Sequence, residues 1–216
     1  MGRVSANLRS SNHRFMSRLS RKYIKAKGWE AYLKLFVHPP KGFTSIPGYL
    51  HPIEGRFLHW LAARVPKDGL ALEVGSFKGK STCFIASSLH PSARLACVDT
   101  WHNDAMPYDS SGDVMSEFLG NVSGYRSAIE PHRGRSADVA ASWTRPIDLL
   151  FIDGDHSYEG CSSDLKAWLG FVKPGGWIAC HDSGEEGVAR AISELLPERV
   201  RGPEVNVWSV FAAAKR

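Results

Sequence analysis

The sequence predicts a doubly wound α/β fold, in which a mostly parallel sheet is covered by helices on both faces. Three observations lead there. Short apolar runs of strand length alternate with longer helix-like segments. Residues 147–152, apolar except for Asp148, and residues 177–180 resemble strands buried on both faces. Glycine-containing or acidic turns follow the runs, where ligands gather at the carboxyl ends of parallel strands.

Residues 1–22 are rich in Ser, Arg and Asn and read as poorly ordered or conditionally helical. Residues 23–37 turn helix-like, with Ile24, Tyr32, Leu35 and Phe36 spaced by Lys and Glu, and Pro39 and Pro40 end them. After a loop at 41–51, Pro52 opens a helix whose Ile53, Phe57, Leu58, Leu61, Ala62 and Val65 share one face. The run Pro66-Lys67-Asp68-Gly69 stops it. Residues 70–74 are the first strand, 81–89 a helix closed by Pro91, and 95–98 the second strand. A helix at 113–119 and a weak strand at 127–131 follow. Next come the strand at 147–152 and a strong helix at 157–172, with Tyr158, Cys161, Leu165, Trp168, Leu169 and Val172 in one core-facing stripe. Lys173-Pro174-Gly175-Gly176 terminates that helix. A strand at 177–180, a helix at 186–196 and a last strand at 205–212, free to run antiparallel, complete the chain. No internal repeat is present.

Composition limits the function classes. A chain of 216 residues suits one domain with a short appendage. No apolar run approaches the ~20 residues that span a bilayer. The first apolar residues are too scattered for a secretory signal. Cys83, Cys97, Cys161 and Cys180 form no CxxC pair and sit in apolar stretches, as buried thiols of a reducing, cytoplasmic compartment do. The net charge of +5 is uneven: residues 1–41 carry ten Lys or Arg against one acid, and the remainder is mildly acidic. We therefore expect a basic arm at 1–41 and a catalytic domain at 42–216. Such an arm suits weak contact with an anionic membrane surface rather than specific nucleic-acid recognition.

The chemistry-bearing residues fall on one rim. The first strand runs into Glu73-Val74-Gly75-Ser76-Phe77-Lys78-Gly79-Lys80-Ser81. Gly75 permits a tight turn, and Gly79 lets the next helix start close to the sheet. Asp99, after the second strand, is placed to bind ribose hydroxyls. Glu73 beside the loop disfavours a pyrophosphate and suits a cationic ligand. The loop is one residue short of a phosphate-binding GxxxxGK[ST] motif, which weighs against a kinase or hydrolase. A nucleotide-binding kinase or hydrolase, a nicotinamide-dependent oxidoreductase and a non-catalytic cofactor-binding protein stay open as alternatives.

Asp153-Gly154-Asp155-His156-Ser157 follows the fourth strand and His181-Asp182 the fifth. Neighbouring parallel strands lie ~5 Å apart, so Asp153 and Asp182 can reach one divalent cation, with His181 as a third ligand. Carboxylates favour Mg2+ or Mn2+, and a nitrogen ligand moves the preference towards manganese, iron or zinc. His156 suits a general base, with Asp155 as the alternative. Asp155 and Ser157 equally suit an N-cap of the following helix.

On these residues the chain resembles class I S-adenosylmethionine-dependent methyltransferases. The first motif, Glu73 to Ser81 with Phe77 in place of the middle glycine, is similar to that of catechol O-methyltransferase-like enzymes. Phe151-Ile152-Asp153-Gly154-Asp155-His156-Ser157-Tyr158-Glu159-Gly160, with Lys173-Pro174-Gly175-Gly176 and His181-Asp182, resembles the macrocin-type and sugar O-methyltransferase group. The resemblance spans roughly residues 48–211 and implies a Rossmann-like, seven-stranded sheet. It implies that Glu73, Gly75 and Ser76 hold the methionine part of S-adenosylmethionine, with Gly79 and Ser81 completing the loop. It implies that Asp99 takes the ribose, that Ser136 lies near the adenine, and that Asp153, beside the cofactor, binds metal with the His181-Asp182 pair. His156 would be the base for O-methylation of a small polar or glycosylated acceptor, in a monomer or homo-oligomer. Trp101, Met106, Pro107 and Tyr108, in the loop at 101–112, suit either a lid over that acceptor or an ordinary surface loop.

Overall fold

The computed structural model describes residues 18–40, 42–102, 113–197 and 200–216. Seven strands form one sheet: β1 (Leu70–Val74), β2 (Arg94–Asp99), β3 (Ile129–Arg133), β4 (Ile147–Ile152), β5 (Val172–Cys180), β6 (Val200–Val207) and β7 (Val210–Lys215). Their order is β3-β2-β1-β4-β5-β7-β6. The first five are mutually parallel, and β7 runs antiparallel to both β5 and β6. The order reverses at β1, which lies between β2 and β4. A crevice opens there at the carboxyl ends of the strands.

Helices α1 (Arg18–Phe36), α2 (Pro52–Ala62), α3 (Lys80–Ala86) and α4 (Val114–Asn121) precede β3 in the chain. Helices α5 (Ser136–Ala141), α6 (Tyr158–Trp168) and α7 (Glu186–Leu195) follow it. Strand alternation divides the core into two layers. Ala71, Cys97, Leu149, Phe151 and Ala179 face α2 and α3, whereas Leu72, Val98, Leu150, Ile178 and Cys180 face α5, α6 and α7. All four cysteines are buried and free.

The basic segment does not end clear of the body. Leu33 and Val37 are buried in the α2 layer, and Trp29 meets Phe57 and Trp60 edge-on at centroid distances of 5.5 and 4.8 Å. Residues 1–17 lie outside the described residues. Among the described residues, no helix is long and apolar enough to cross a membrane.

Four elements differ from the sequence reading. The last strand, expected at 205–212, is a hairpin: β6 turns at Trp208, which takes φ +55°, and returns as β7. The helix expected at 157–172 ends at Trp168. After a 3₁₀ turn, Leu169–Phe171, the Lys173-Pro174-Gly175-Gly176 run bulges within β5 rather than preceding it. Strand β3 sits two residues later than expected, so Arg133 pairs with Asp99. Helix α5, with six residues, is too short to have shown a period.

Candidate active site

Register brings the functional residues level. Val74 pairs with Val98 and Ile152, and Ile152 with Cys180. The next residues of those strands and turns, Gly75, Asp99, Asp153 and His181, therefore stand side by side. They border a cavity of about 960 Å³, which Ser76, Ser81, Ser136, Asp155, His156 and Asp182 also line. Glu73 and Gly79 do not line it.

The absence of Glu73 from the cavity follows from the pleat. Glu73 shares a face with Ala71 and points into the layer between β1 and α3, fully buried. One carboxylate oxygen accepts hydrogen bonds from the hydroxyls of Ser76 and Thr82, and its other oxygen has no partner. Burial pushes the carboxyl up to about 7, against the pull of the Ser81, Thr82 and Ser76 hydroxyls. Glu73 thus anchors the loop from beneath. Thr82, which the sequence reading passed over, is part of that anchor.

Above it, Gly75 takes φ +85°, and a Cβ there would lie 2.0 Å from the Asp153 carbonyl oxygen. Only glycine lets the β1 and β4 turns touch. Phe77, where the resembled motif has glycine, adopts φ +43°. Its conformation is held at both ends: its N–H donates to Asp99 Oδ2 at 2.8 Å, and its carbonyl accepts from the Trp101 indole at 2.9 Å. The Trp101 N–H donates to Asp99 Oδ1 at 2.7 Å. Trp101 is therefore a buried brace under the loop, not a lid residue. Met106, Pro107 and Tyr108 lie outside the described residues.

The second cluster joins β4 and β5. His181 is 5% exposed, and its Nδ1 lies 3.1 Å from Asp153 Oδ1 and 2.9 Å from Asp182 Oδ2. Its Nε2 lies 3.2 Å from Glu54 Oε2, a buried α2 carboxylate that also accepts from the His51 N–H and from Ser209. Burial alone would lower the His181 pKa, but Asp153, Glu54 and Asp182 outweigh it and hold the imidazole up to about 11. Burial likewise acts to raise Glu54, yet hydrogen bonds from His181, Ser209 and the backbone hold it down to about 2. His156 is half-exposed, its Nε2 3.2 Å from Asp182 Oδ2 and 3.9 Å from Asp153 Oδ1. Asp153 and Asp182 raise its pKa above the ordinary histidine value, against desolvation.

Asp155 is exposed, and its Oδ1 accepts the Ser157 N–H at 2.9 Å. Ser157 is the N-cap of α6, its hydroxyl accepting from the Gly160 N–H. Asp155 thus shapes the helix entry.

Two further parts of the wall escaped the sequence reading. Residues 47–50 line the cavity, and Lys80 Nζ donates to the Gly48 carbonyl at 2.8 Å. Asp164 of α6 and Ser136 also line it, and the Ser136 hydroxyl accepts the Trp168 indole N–H at 2.8 Å.

Asp153, His181 and Asp182 each offer one atom, all within 4.8 Å of one another. Octahedral coordination with bonds of about 2.1 Å sets neighbouring ligand atoms about 3 Å apart. The His181 separations of 2.9 and 3.1 Å match that edge. Glu54 behind Nε2 supplies the carboxylate that orients a metal-binding imidazole. The donor set fits a divalent cation once the ion replaces the proton that His181 Nδ1 shares with Asp153 and Asp182.

A family model described as a methyltransferase domain matches residues 72–183, just over half of the chain. Several solved structures share the fold at low sequence identity. An O-methyltransferase from Bacillus cereus, solved with SAH, is 17% identical with a TM-score of 0.63, over 91% of this chain and 100% of that one. The O-methyltransferase TomG of Streptomyces achromogenes, involved in tomaymycin synthesis and solved with SAM, is 19% identical with a TM-score of 0.65, over 94% and 100%. The SAH-bound methyltransferase PaMTH1 of Podospora anserina is 14% identical with a TM-score of 0.67, over 94% and 98%.

Proposed function

We propose, on the premise that the chain belongs to the methyltransferase domain family, that it transfers the methyl group of S-adenosylmethionine to a hydroxyl of a small polar or glycosylated acceptor. The observation that carries this reading is the level row of Gly75, Asp99, Asp153 and His181 around one cavity, with His156 at its edge. Neighbours of the same fold were solved with SAM or SAH, which supports the same cosubstrate here. The aspartates of the wall suit a sulfonium and oppose a triphosphate, which supports this reading over a kinase.

The bound cosubstrate supplies a methyl group already activated on a sulfonium sulfur. Asp99 binds the ribose hydroxyls through lone pairs its two amide contacts leave unused. His156 Nε2, at the exposed edge, takes the proton of the acceptor hydroxyl as the oxygen attacks in line. Asp182 and Asp153 stabilise the resulting imidazolium. A divalent cation on Asp153, His181 and Asp182 would orient and acidify that hydroxyl. The four buried free thiols support a cytoplasmic setting.

Calorimetric titration with SAH, ATP and NAD tests the cosubstrate: micromolar binding of SAH alone is expected, and a preference for ATP or NAD overturns the reading. Turnover of hydroxyl-bearing acceptors, with and without chelator, tests the rest. Full activity in chelator would remove the cation and leave His156 as the whole proton-handling apparatus.

A further inference from the structure

Helix α1 carries two apolar stripes where packing on the body needs one. Gly28, at φ +82°, breaks the helix into a first part, 18–27, and a second, 29–36. In the second part Trp29 and Leu33, followed by Val37 just beyond it, pack on the α2 layer. The Arg56 guanidinium of α2 fastens that end by donating to the Leu33 and Val37 carbonyls. The second stripe is Tyr32, Leu35 and Phe36, three and four residues apart and so on one face. Leu35 and Phe36 are 57% and 58% exposed, and the Tyr32 and Phe36 rings lie 5.2 Å apart. A lone exposed apolar residue is ordinary, but an aligned set on a helix fixed to the body marks a contact surface.

Charge selects what the surface meets. Residues 1–41 hold ten Lys or Arg and one acid, and residues 18–27 of the helix itself hold five and none. The one acid, Glu30, is engaged by Lys34 at 2.6 Å and by the Trp208 indole. A twofold contact pairs a patch with itself, so a second copy docking here would set two basic segments against each other. A nucleic acid would answer the charge and leave Leu35 and Phe36 in water. An anionic bilayer answers both, with an interface for the apolar side chains and headgroups for the basic ones. Neither signal alone holds a protein firmly to a membrane, whereas the two together do.

We propose that α1 docks the protein on an anionic lipid surface, with Tyr32, Leu35 and Phe36 entering the interface and the Lys and Arg residues of the basic segment meeting the headgroups. None of the three apolar residues lines the catalytic cavity, so the docking surface is separate from the methyl-transfer site.

The test is flotation of the full-length protein with vesicles of phosphatidylcholine alone and of phosphatidylcholine with phosphatidylserine in equal parts. The wild-type protein should bind the mixed vesicles at least about tenfold more tightly, since each basic residue at such a surface adds roughly fivefold. Most of that gain should vanish in about 1 M salt, where the screening length falls to ~3 Å. The double variant Leu35→Ser with Phe36→Ser keeps every charge and the buried stripe. It should unfold in urea near the wild-type midpoint and bind mixed vesicles at least about tenfold more weakly. Equal binding of neutral and mixed vesicles by the wild-type protein overturns the inference without any variant. Equal binding of mixed vesicles by wild type and double variant also overturns it, because charge alone would then account for the contact. A protein that ignores both vesicles overturns it as well. In that case a dimer in light scattering that the double variant dissociates would give the stripe to a second copy, and retention of an RNA oligonucleotide would give the basic segment to nucleic acid.

Discussion

Glu54 Oε2 lies 3.2 Å from His181 Nε2, and this contact joins the second helix to the end of the fifth strand across 127 residues of sequence. Both groups are buried, so removing one leaves the other uncompensated. Glu54→Ala should cost about 3–5 kcal/mol in urea unfolding. The pH dependence has a sign. The His181 pKa is raised to about 11, so its contribution is complete below about 6.5 and is lost as pH rises towards 11. The Glu54 pKa is lowered to about 2, so its contribution is lost as pH falls from about 4.5 towards 2. Equal loss of stability in wild type and Glu54→Ala across both windows would show that the contact is not formed.

Asp99→Ala should weaken SAH binding by roughly 1–3 kcal/mol, the cost of a hydrogen bond to a charged group. The same change frees the Phe77 and Trp101 amides, so thermal stability should fall as well. Unchanged affinity in calorimetry would move the ribose elsewhere.

His156→Ala should slow turnover by about 10²–10⁴-fold with little change in SAH affinity. The flanking aspartates raise the His156 pKa, so the acidic limb of the rate profile should lie above the ordinary value of about 6.5. Activity rises with pH as the imidazole loses its proton. A profile with no titration above neutrality, or a fall of only a few-fold in the variant, would give the proton to another group.

Gly75→Ala should destabilise the protein by at least about 2 kcal/mol, since it adds a left-handed backbone penalty to a collision with Asp153. SAH binding should fall with it, because the β1 turn must withdraw from the β4 turn. Near-normal urea midpoints and affinity would mean the two turns separate freely.

Asp164→Asn should be more stable than the wild-type protein at pH 8 and indistinguishable from it near pH 3. The folded state raises the Asp164 pKa to about 6, so stability drains away as pH climbs from the unfolded value towards 6. The gain at pH 8 should be about 1–3 kcal/mol. A variant less stable at every pH would show that the carboxylate supports the fold.

The strand ends were legible because the strands themselves were. Runs such as 149–152 are apolar enough to fix where β4 stops, and the register then sets Asp153 beside His181. The same rule, carried one step further, would have turned Glu73 under the loop, since alternate residues face opposite layers. Glu54 was hidden because its position, third in α2 behind His51, reads as ordinary capping. Asp164 was hidden inside a helix whose apolar stripe accounts for its pattern. The hairpin was missed because Trp208-Ser209 contains none of the residues that favour a left-handed turn, and Trp208 adopts one regardless.

The Ser209 contact has a bearing on how the chain is made. Glu54 is synthesised 155 residues before the hydroxyl and amide that bind one of its oxygens, and 127 before His181. On the ribosome α2 therefore emerges with an acid destined for the interior and nothing to neutralise it. The early half of the protein cannot settle into its final packing ahead of the late half. A nascent chain stalled after Asp182 would carry every residue of the metal and methyl-transfer chemistry and still lack the β6–β7 turn whose Ser209 binds Glu54.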